Sequence, residues 1–386
     1  MKIIKKILCV ILALLCLAGG FLMLPGNYYL RQTVIHLFPK IDQYPIFENR
    51  TVEAGSPLPW EKAEKYGALS IPEEDQPLFR QYGTVAYVVI KDGKLLFESY
   101  WDDYSPQSLS NSFSMAKSIV SLAVGCAIED GFIRGIDQPV SDFFPQFGAY
   151  DGKILTLRHL LTMSAGVDFD ESYSSPFSPT TKLYYGNDLH SIAFGMKQIE
   201  KPGVHFNYQS GVSQLLAYVV EKATGERISH YVSRKLWTPM HAEENALWSL
   251  DKAGGMEKAY CCFNTNAGDF ARFGQLILNK GQWDGRQLVP EAYLQEAIRP
   301  DTTLTDIQYQ EVNRRYGLQF WHLTFQGLSI PYMRGIHGQY VFVVPEKNAV
   351  IVRLGYKRGK VNQTPQHYPD DIDVWLSTGL KLINQS

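Results

Sequence analysis

The chain has 386 residues, 45% of them hydrophobic and 20% charged, which is ample for a large core and ordinary for a folded enzyme. A formal net charge of −2 removes the electrostatic case for nucleic-acid binding. The five cysteines (Cys9, Cys16, Cys126 and the adjacent Cys261 and Cys262) make no disulfide framework and have no metal-ligand spacing, so buried thiols are the expectation.

Met1-Lys2-Ile3-Ile4-Lys5-Lys6 is a basic start, and the apolar run from Ile7 to Pro25 approaches the ~20 residues that a membrane span needs. Residues 1–30 therefore read as an anchor with its N-terminus in the cytoplasm, or as a cleaved signal peptide, with the uncleaved anchor preferred. Either way, residues 31–386 are expected outside the cytoplasm, in a periplasmic or extracellular setting. Residues 31–80 carry Pro39, Pro45, Pro57, Pro59, Pro72 and Pro77 and are expected to form an extended arm.

A catalytic domain is expected over residues 81–386. Thr84 to Ile90 and Leu95 to Tyr100 alternate as strands around Asp92-Gly93, a hairpin signature. Ala116, Ile119, Val120, Ala123, Val124, Ala127 and Ile128 then mark a helix buried on most sides, stopped near Gly131. Residues 130–280 read as a mostly helical insertion. Gln339 to Val344 and Ala349 to Leu354 form a second hairpin around Pro345 to Asn348, and Asp371 to Asn384 closes the chain as an amphipathic helix. The fold class is therefore α+β, an α/β sandwich: one antiparallel sheet built from both termini, flanked by helices, with a helical insertion.

Ser114-Met115-Ala116-Lys117 opens the long apolar helix. There the Ser114 N–H has no intrahelical partner and the dipole favours negative charge. Lys117 lies one turn on, on the same face, and burial there would lower its pKa. A serine beside such an amine is an activated nucleophile that needs no histidine. S-x-x-K alone arises about once by chance in a chain this long, and Ser249-Leu250-Asp251-Lys252 is a decoy with no apolar helix behind it. Neither phosphate- and dinucleotide-loop motifs nor H-E-x-x-H nor G-x-S-x-G occurs, so no metal and no cofactor is expected.

Three further segments accompany Ser114. Leu155 to Gly166 reads L-T-L-R-H-L-L-T-M-S-A-G; Tyr208-Gln209-Ser210 follows Pro202-Gly203; and Gly335-Ile336-His337-Gly338-Gln339 precedes the second hairpin. From Thr84 onward the chain resembles the serine β-lactamase and penicillin-binding-protein superfamily, specifically its class C β-lactamase-like serine hydrolases. Y-x-S with Gly-x-His-Gly-Gln is similar to the esterase-like and 6-aminohexanoate-dimer hydrolase branch. The resemblance implies Ser114 as nucleophile, Lys117 and Tyr208 as proton carriers, and substrate contacts from Ser210, His337, Gly338 and Gln339. The N–H of Gln339 is expected to join that of Ser114 in holding an oxyanion, with Gly338 leaving room for substrate along the strand edge. As a base Tyr208 would need a neighbouring cation, and Lys117 would supply it.

Two departures bear on substrate. Ser210 stands where the family's β-lactamases usually carry Asn, and Ile336-His337-Gly338 stands for Lys-Thr-Gly, so the lysine that would hold a β-lactam carboxylate is missing. The function expected is therefore hydrolysis of a small-molecule amide or ester through a Ser114 acyl-enzyme. The alternatives are a D-alanyl-D-alanine carboxypeptidase or weak β-lactamase, and a penicillin-sensor-like or non-catalytic binding module.

Overall fold

The computed structural model describes residues 2–386. In chain order the elements that position the site are α1 (Lys2–Met23), α2 (Tyr28–His36), β1 (Asn49–Val52), β2 (Thr84–Lys91), β3 (Lys94–Tyr100), α3 (Met115–Glu129), α4 (Ser210–Thr224), β4 (Ala246–Ser249), α5 (Ala267–Leu278), β5 (Trp321–Phe325), β6 (Leu328–Gly335), β7 (Gln339–Val344), β8 (Ala349–Gly355) and α6 (Ile372–Asn384).

The main sheet has six antiparallel strands in the order β5-β6-β7-β8-β2-β3, so strands from the two ends of the domain meet at β8 and β2. Asp92 (φ 52°) and Gly93 (φ 74°) make the two-residue turn between β2 and β3 that an Asp-Gly pair favours. Helices cover both faces. A Cβ on Gly274 of α5 would strike Val350, and one on Gly379 of α6 would strike Ile351, and successive strand residues point to opposite faces. These two glycines let the helices sit directly on the sheet, which gives the sandwich expected from the order of elements.

The sheet has a third hairpin that the sequence reading did not anticipate. Phe325 pairs with Leu328 across Gln326 and Gly327, both at positive φ, which adds β5 and β6 beside β7. The Gly335–Gln339 stretch therefore lies in the turn between β6 and β7, inside the sheet and not on an edge strand. Residues 31–80, expected as an extended arm, fold against the domain. β1 pairs with β4 in antiparallel register, and Ile41, Val52, Ile71 and Phe79 are buried in the common core. Among the described residues α1 alone is long and apolar enough to cross a membrane, and none of it is buried.

The β6–β7 turn is held from below by Arg353 of β8, a fully buried guanidinium. It donates to the carbonyls of His337 (3.0 Å), Gly338 (2.9 Å), Lys357 (3.0 Å) and Tyr82 (2.7 Å) and to Thr84 Oγ1 (3.1 Å). Burial lowers its pKa to about 10, with Asp371 opposing. Replacing it by Met (Arg353→Met) removes all of these donors, with the Tyr82 carbonyl keeping only the Lys357 N–H, and the expected loss is about 3–5 kcal/mol of stability, read from thermal unfolding. A melting temperature unchanged from wild type would contradict this account.

Candidate active site

The loop before α3 sets the nucleophile. Phe113 adopts φ 42°, a conformation that costs a non-glycine residue energy and is fixed here by Asn111, whose Oδ1 accepts the Phe113 N–H at 2.8 Å. Ser114 follows at the head of α3, and its hydroxyl makes no capping bond to the helix. Instead Lys117 Nζ lies 3.1 Å from Ser114 Oγ and donates to the Tyr260 carbonyl at 2.9 Å. The Lys117 side chain is almost wholly buried, 1% exposed, and its ammonium has no carboxylate partner. Burial lowers its pKa to about 8, with the charge of Glu171 acting in the opposite direction.

Tyr208 comes to the same place from the loop before α4. Its ring packs against Tyr316 (centroids 5.7 Å apart) and Trp321 (5.3 Å), and Lys117 Nζ lies 5.1 Å from its centre. Hydroxyl, amine and phenol thus line one crevice. The sequence left open which of Lys117 and Tyr208 carries the charge. Burial pushes the phenol up and Glu171 adds to the rise, while Ser114, Arg334 and Arg358 only partly oppose it. A buried neutral amine beside a buried neutral phenol is the arrangement that desolvation favours.

Ser210 lies beside Ser114 on a second cavity, but its polar groups are already engaged. Glu171 accepts both the Ser210 N–H and its hydroxyl, each at 2.6 Å. Glu171 went unnoticed in the sequence because it sits in the irregular loop after Phe169, where no periodicity marks it. His337 also faces that cavity, at φ 63°, with its Nε2 3.0 Å from the Pro39 carbonyl.

The contacts expected of Gly338 and Gln339 need correcting. A Cβ on Gly338 would lie 2.3 Å from Arg353 Nη1, so this glycine makes room for the arginine and not for substrate. Gln339 is fully buried, and its side chain donates to the carbonyls of Ile336 (3.1 Å) and Gly355 (2.6 Å). Neither residue lines the cavities at Ser114; Gly335 and Ile336 do. A Cβ on Gly335 would come 2.3 Å from the Ser112 carbonyl, which shows how closely the end of β6 approaches the loop bearing Ser114. No turn, cap or side-chain acceptor among the described residues takes the N–H of Ser114 or of Ile336. Asn266 caps α5, its side chain accepting the Asp269 N–H. Cys261 and Cys262, expected as thiols, form a disulfide at the wall of the second cavity, where Cys262 turns the chain at φ 67°. Cys126 remains a buried thiol.

Comparison with known proteins identifies the family. A family model described as Beta-lactamase matches residues 75–368. The 6-aminohexanoate-dimer hydrolase of Paenarthrobacter ureafaciens is 26% identical over 304 residues, covering 74% of this chain and 76% of that protein. Among solved structures, a Bacillus anthracis protein provisionally assigned as a 6-aminohexanoate-dimer hydrolase superposes with a TM-score of 0.73 at 20% identity, covering 92% of this chain and 94% of that one. A family VIII carboxylesterase superposes with a TM-score of 0.61 at 15% identity, covering 81% and 99%.

Only the unprotonated amine can take a proton, so modification of Ser114 by a fluorophosphonate should rise with pH through a midpoint near the Lys117 value of about 8 and level off above it. Because Glu171 raises that value, Glu171→Gln should move the midpoint to lower pH. A labelling rate flat between pH 6 and 10 would exclude Lys117 as the titrating group.

Proposed function

Since the chain belongs to the β-lactamase family and is a serine hydrolase of that family, we propose that it cleaves an amide or ester through an acyl-enzyme on Ser114. The observation that carries this reading is the short separation, 3.1 Å, of Ser114 Oγ from a buried amine whose pKa is lowered to about 8. Lys117 takes the proton as Ser114 attacks the carbonyl carbon. Tyr208, held protonated by burial, passes a proton to the leaving group and is reprotonated from Lys117. The tetrahedral oxyanion rests on the N–H groups of Ser114 and Ile336, the latter replacing Gln339 because it faces the cavity and has no partner of its own. Water then releases the acyl group and returns the serine.

The domain division follows the same reading: an N-terminal segment over 1–30, an arm over 31–80 packed on the enzyme, and the hydrolase from 81 to the end. The apolar, wholly exposed α1 supports a membrane anchor with the catalytic domain outside the cytoplasm. The Cys261–Cys262 disulfide fits an oxidising compartment.

Ser114→Ala should abolish both fluorophosphonate labelling and ester hydrolysis with the thermal unfolding profile intact. Lys117→Ala and Tyr208→Phe should each lower kcat/KM by about 10²–10⁴-fold, the usual contribution of a proton carrier. Turnover in the Ser114 variant equal to wild type would assign the nucleophile elsewhere.

A further inference from the structure

The segment that joins the apolar N-terminal helix to the domain is basic. Its charges are Arg31 and Lys40, and Asp42 is the first carboxylate in the chain. α2 starts at Tyr28, just after α1 ends at Met23, and Asn27 ties the two together, its side chain donating to the Phe21 carbonyl at 2.9 Å. One face of α2 is fixed to the domain. Leu30 is buried, His36 stacks on Tyr185 with ring centroids 6.3 Å apart, and the Tyr185 hydroxyl donates to the Leu37 carbonyl at 2.9 Å. The ring of His337 holds the Pro39 carbonyl at 3.0 Å, so the stretch after the helix is fixed as well.

The opposite face is open to solvent. Val34 and Ile35 are 60% and 61% exposed, and Leu37 and Phe38 66% and 78%. Arg31 lies one turn before Val34 and Ile35 on the same side of the helix, with its guanidinium 5.3 Å from the centre of the Tyr28 ring. Phe177, 62% exposed, adjoins them: its neighbour Pro176 shares with Leu37 and Phe38 the lining of the second cavity, on which Ser114 also lies. Large apolar side chains gathered in this way carry an unrecovered hydration cost and mark a surface that binds something. Apolar residues bordered by cations and an aromatic ring are the composition of a helix that lies in a lipid interface.

Proximity selects the occupant. As an anchor, α1 leaves the bilayer near Met23, and the nine residues of α2 extend only about 14 Å. Interfacial helices sink their apolar face about 5–10 Å into the headgroup boundary, so the patch is tethered within reach of that layer at high effective concentration. We infer that the exposed face of α2, the Leu37–Phe38 rim and Phe177 rest in the lipid surface from which α1 emerges, so that the mouth of the Ser114 cavity opens at the bilayer. This rests on the reading of α1 as a membrane anchor and is independent of the reaction at Ser114. α2 is bonded to Tyr185 and His337 at the cavity wall, so seating it orients the whole catalytic domain against the membrane. Arg31 and the exposed Lys40 then lie where lipid phosphates supply the counter-charge.

The test uses the full chain in vesicles of phosphatidylcholine and phosphatidylglycerol, with the photoreactive p-benzoylphenylalanine in place of one phenylalanine at a time: Phe21, Phe38, Phe177 or Phe132. Phe21 reports on α1 itself. Phe132 is the control, 44% exposed and just past the far end of α3, whose 15 residues carry it on the order of 20 Å from Ser114. On irradiation, lipid adducts are expected from positions 21, 38 and 177 and not from 132. The double variant Val34→Asp, Ile35→Asp, on the exposed face, should lose the adducts at 38 and 177 and keep the one at 21. Adducts at 21 alone overturn the inference and leave the anchor reading intact. Equal adducts at all four positions overturn it too, as do links between two protein chains at 38 and 177 in place of lipid. Absence of lipid adducts at every position, 21 included, defeats the anchor reading and the inference with it.

Discussion

The proposed chemistry depends on the desolvation of a single amine. Lys117 is carried into the interior by a helix that is buried on nearly every face, and there it meets a carbonyl oxygen and a serine hydroxyl but no carboxylate. A charged ammonium in that position loses its water and gains no counterion, so its pKa falls toward the physiological range. Glu171 keeps the fall within bounds, acting across the crevice through the loop that also ties down Ser210. In the proposed mechanism this burial activates Ser114 without a histidine.

A second constraint sets the geometry around that amine. The turn from β6 to β7 must approach the loop of Ser114 closely enough to offer an N–H, and Gly335 permits this because a side chain there would strike Ser112. The turn is then locked from the opposite side by Arg353, whose donors saturate the carbonyls of His337 and Gly338. Gly338 belongs to this lock: its positive φ and missing side chain make space for the guanidinium. A motif that reads as substrate-facing is thus divided, with Gly335 and Ile336 turned toward the cavity and Gly338 and Gln339 turned toward the scaffold.

The same crevice has two electrostatic faces. Arg334, stacked on an indole, lies on the side of Tyr208 and Arg358 borders both cavities, while aromatic and aliphatic side chains predominate on the side of the arm. The arm is therefore more than a spacer after the apolar N-terminal helix. Two hydrogen bonds fix its Leu37–Pro39 stretch at the mouth of the cavity, and it contributes one wall of a site whose chemistry is encoded far downstream.

Much of this was legible in the residues alone. The Asp-Gly hairpin, the buried helix behind Ser114, the terminal amphipathic helix and the pairing of strands from both ends follow from periodicity and turn chemistry, which are local properties. Ser114 and Lys117 are marked by a helix start, and Tyr208 was singled out by the resemblance of its segment to a family motif. What the residues could not disclose depends on through-space distance. The third hairpin was hidden because its Gln-Gly turn is a weak signal. Tyr208 was expected to lean on Lys117 for charge, but burial dominates once the ring is enclosed by Tyr316 and Trp321. The hold of Glu171 on Ser210, the scaffold duty of Gly338 and Gln339 and the arm at the cavity mouth were decided by tertiary packing alone. Each joins groups whose meeting no local pattern encodes, because hydrogen bonding and desolvation act on distance in space and not on distance along the chain.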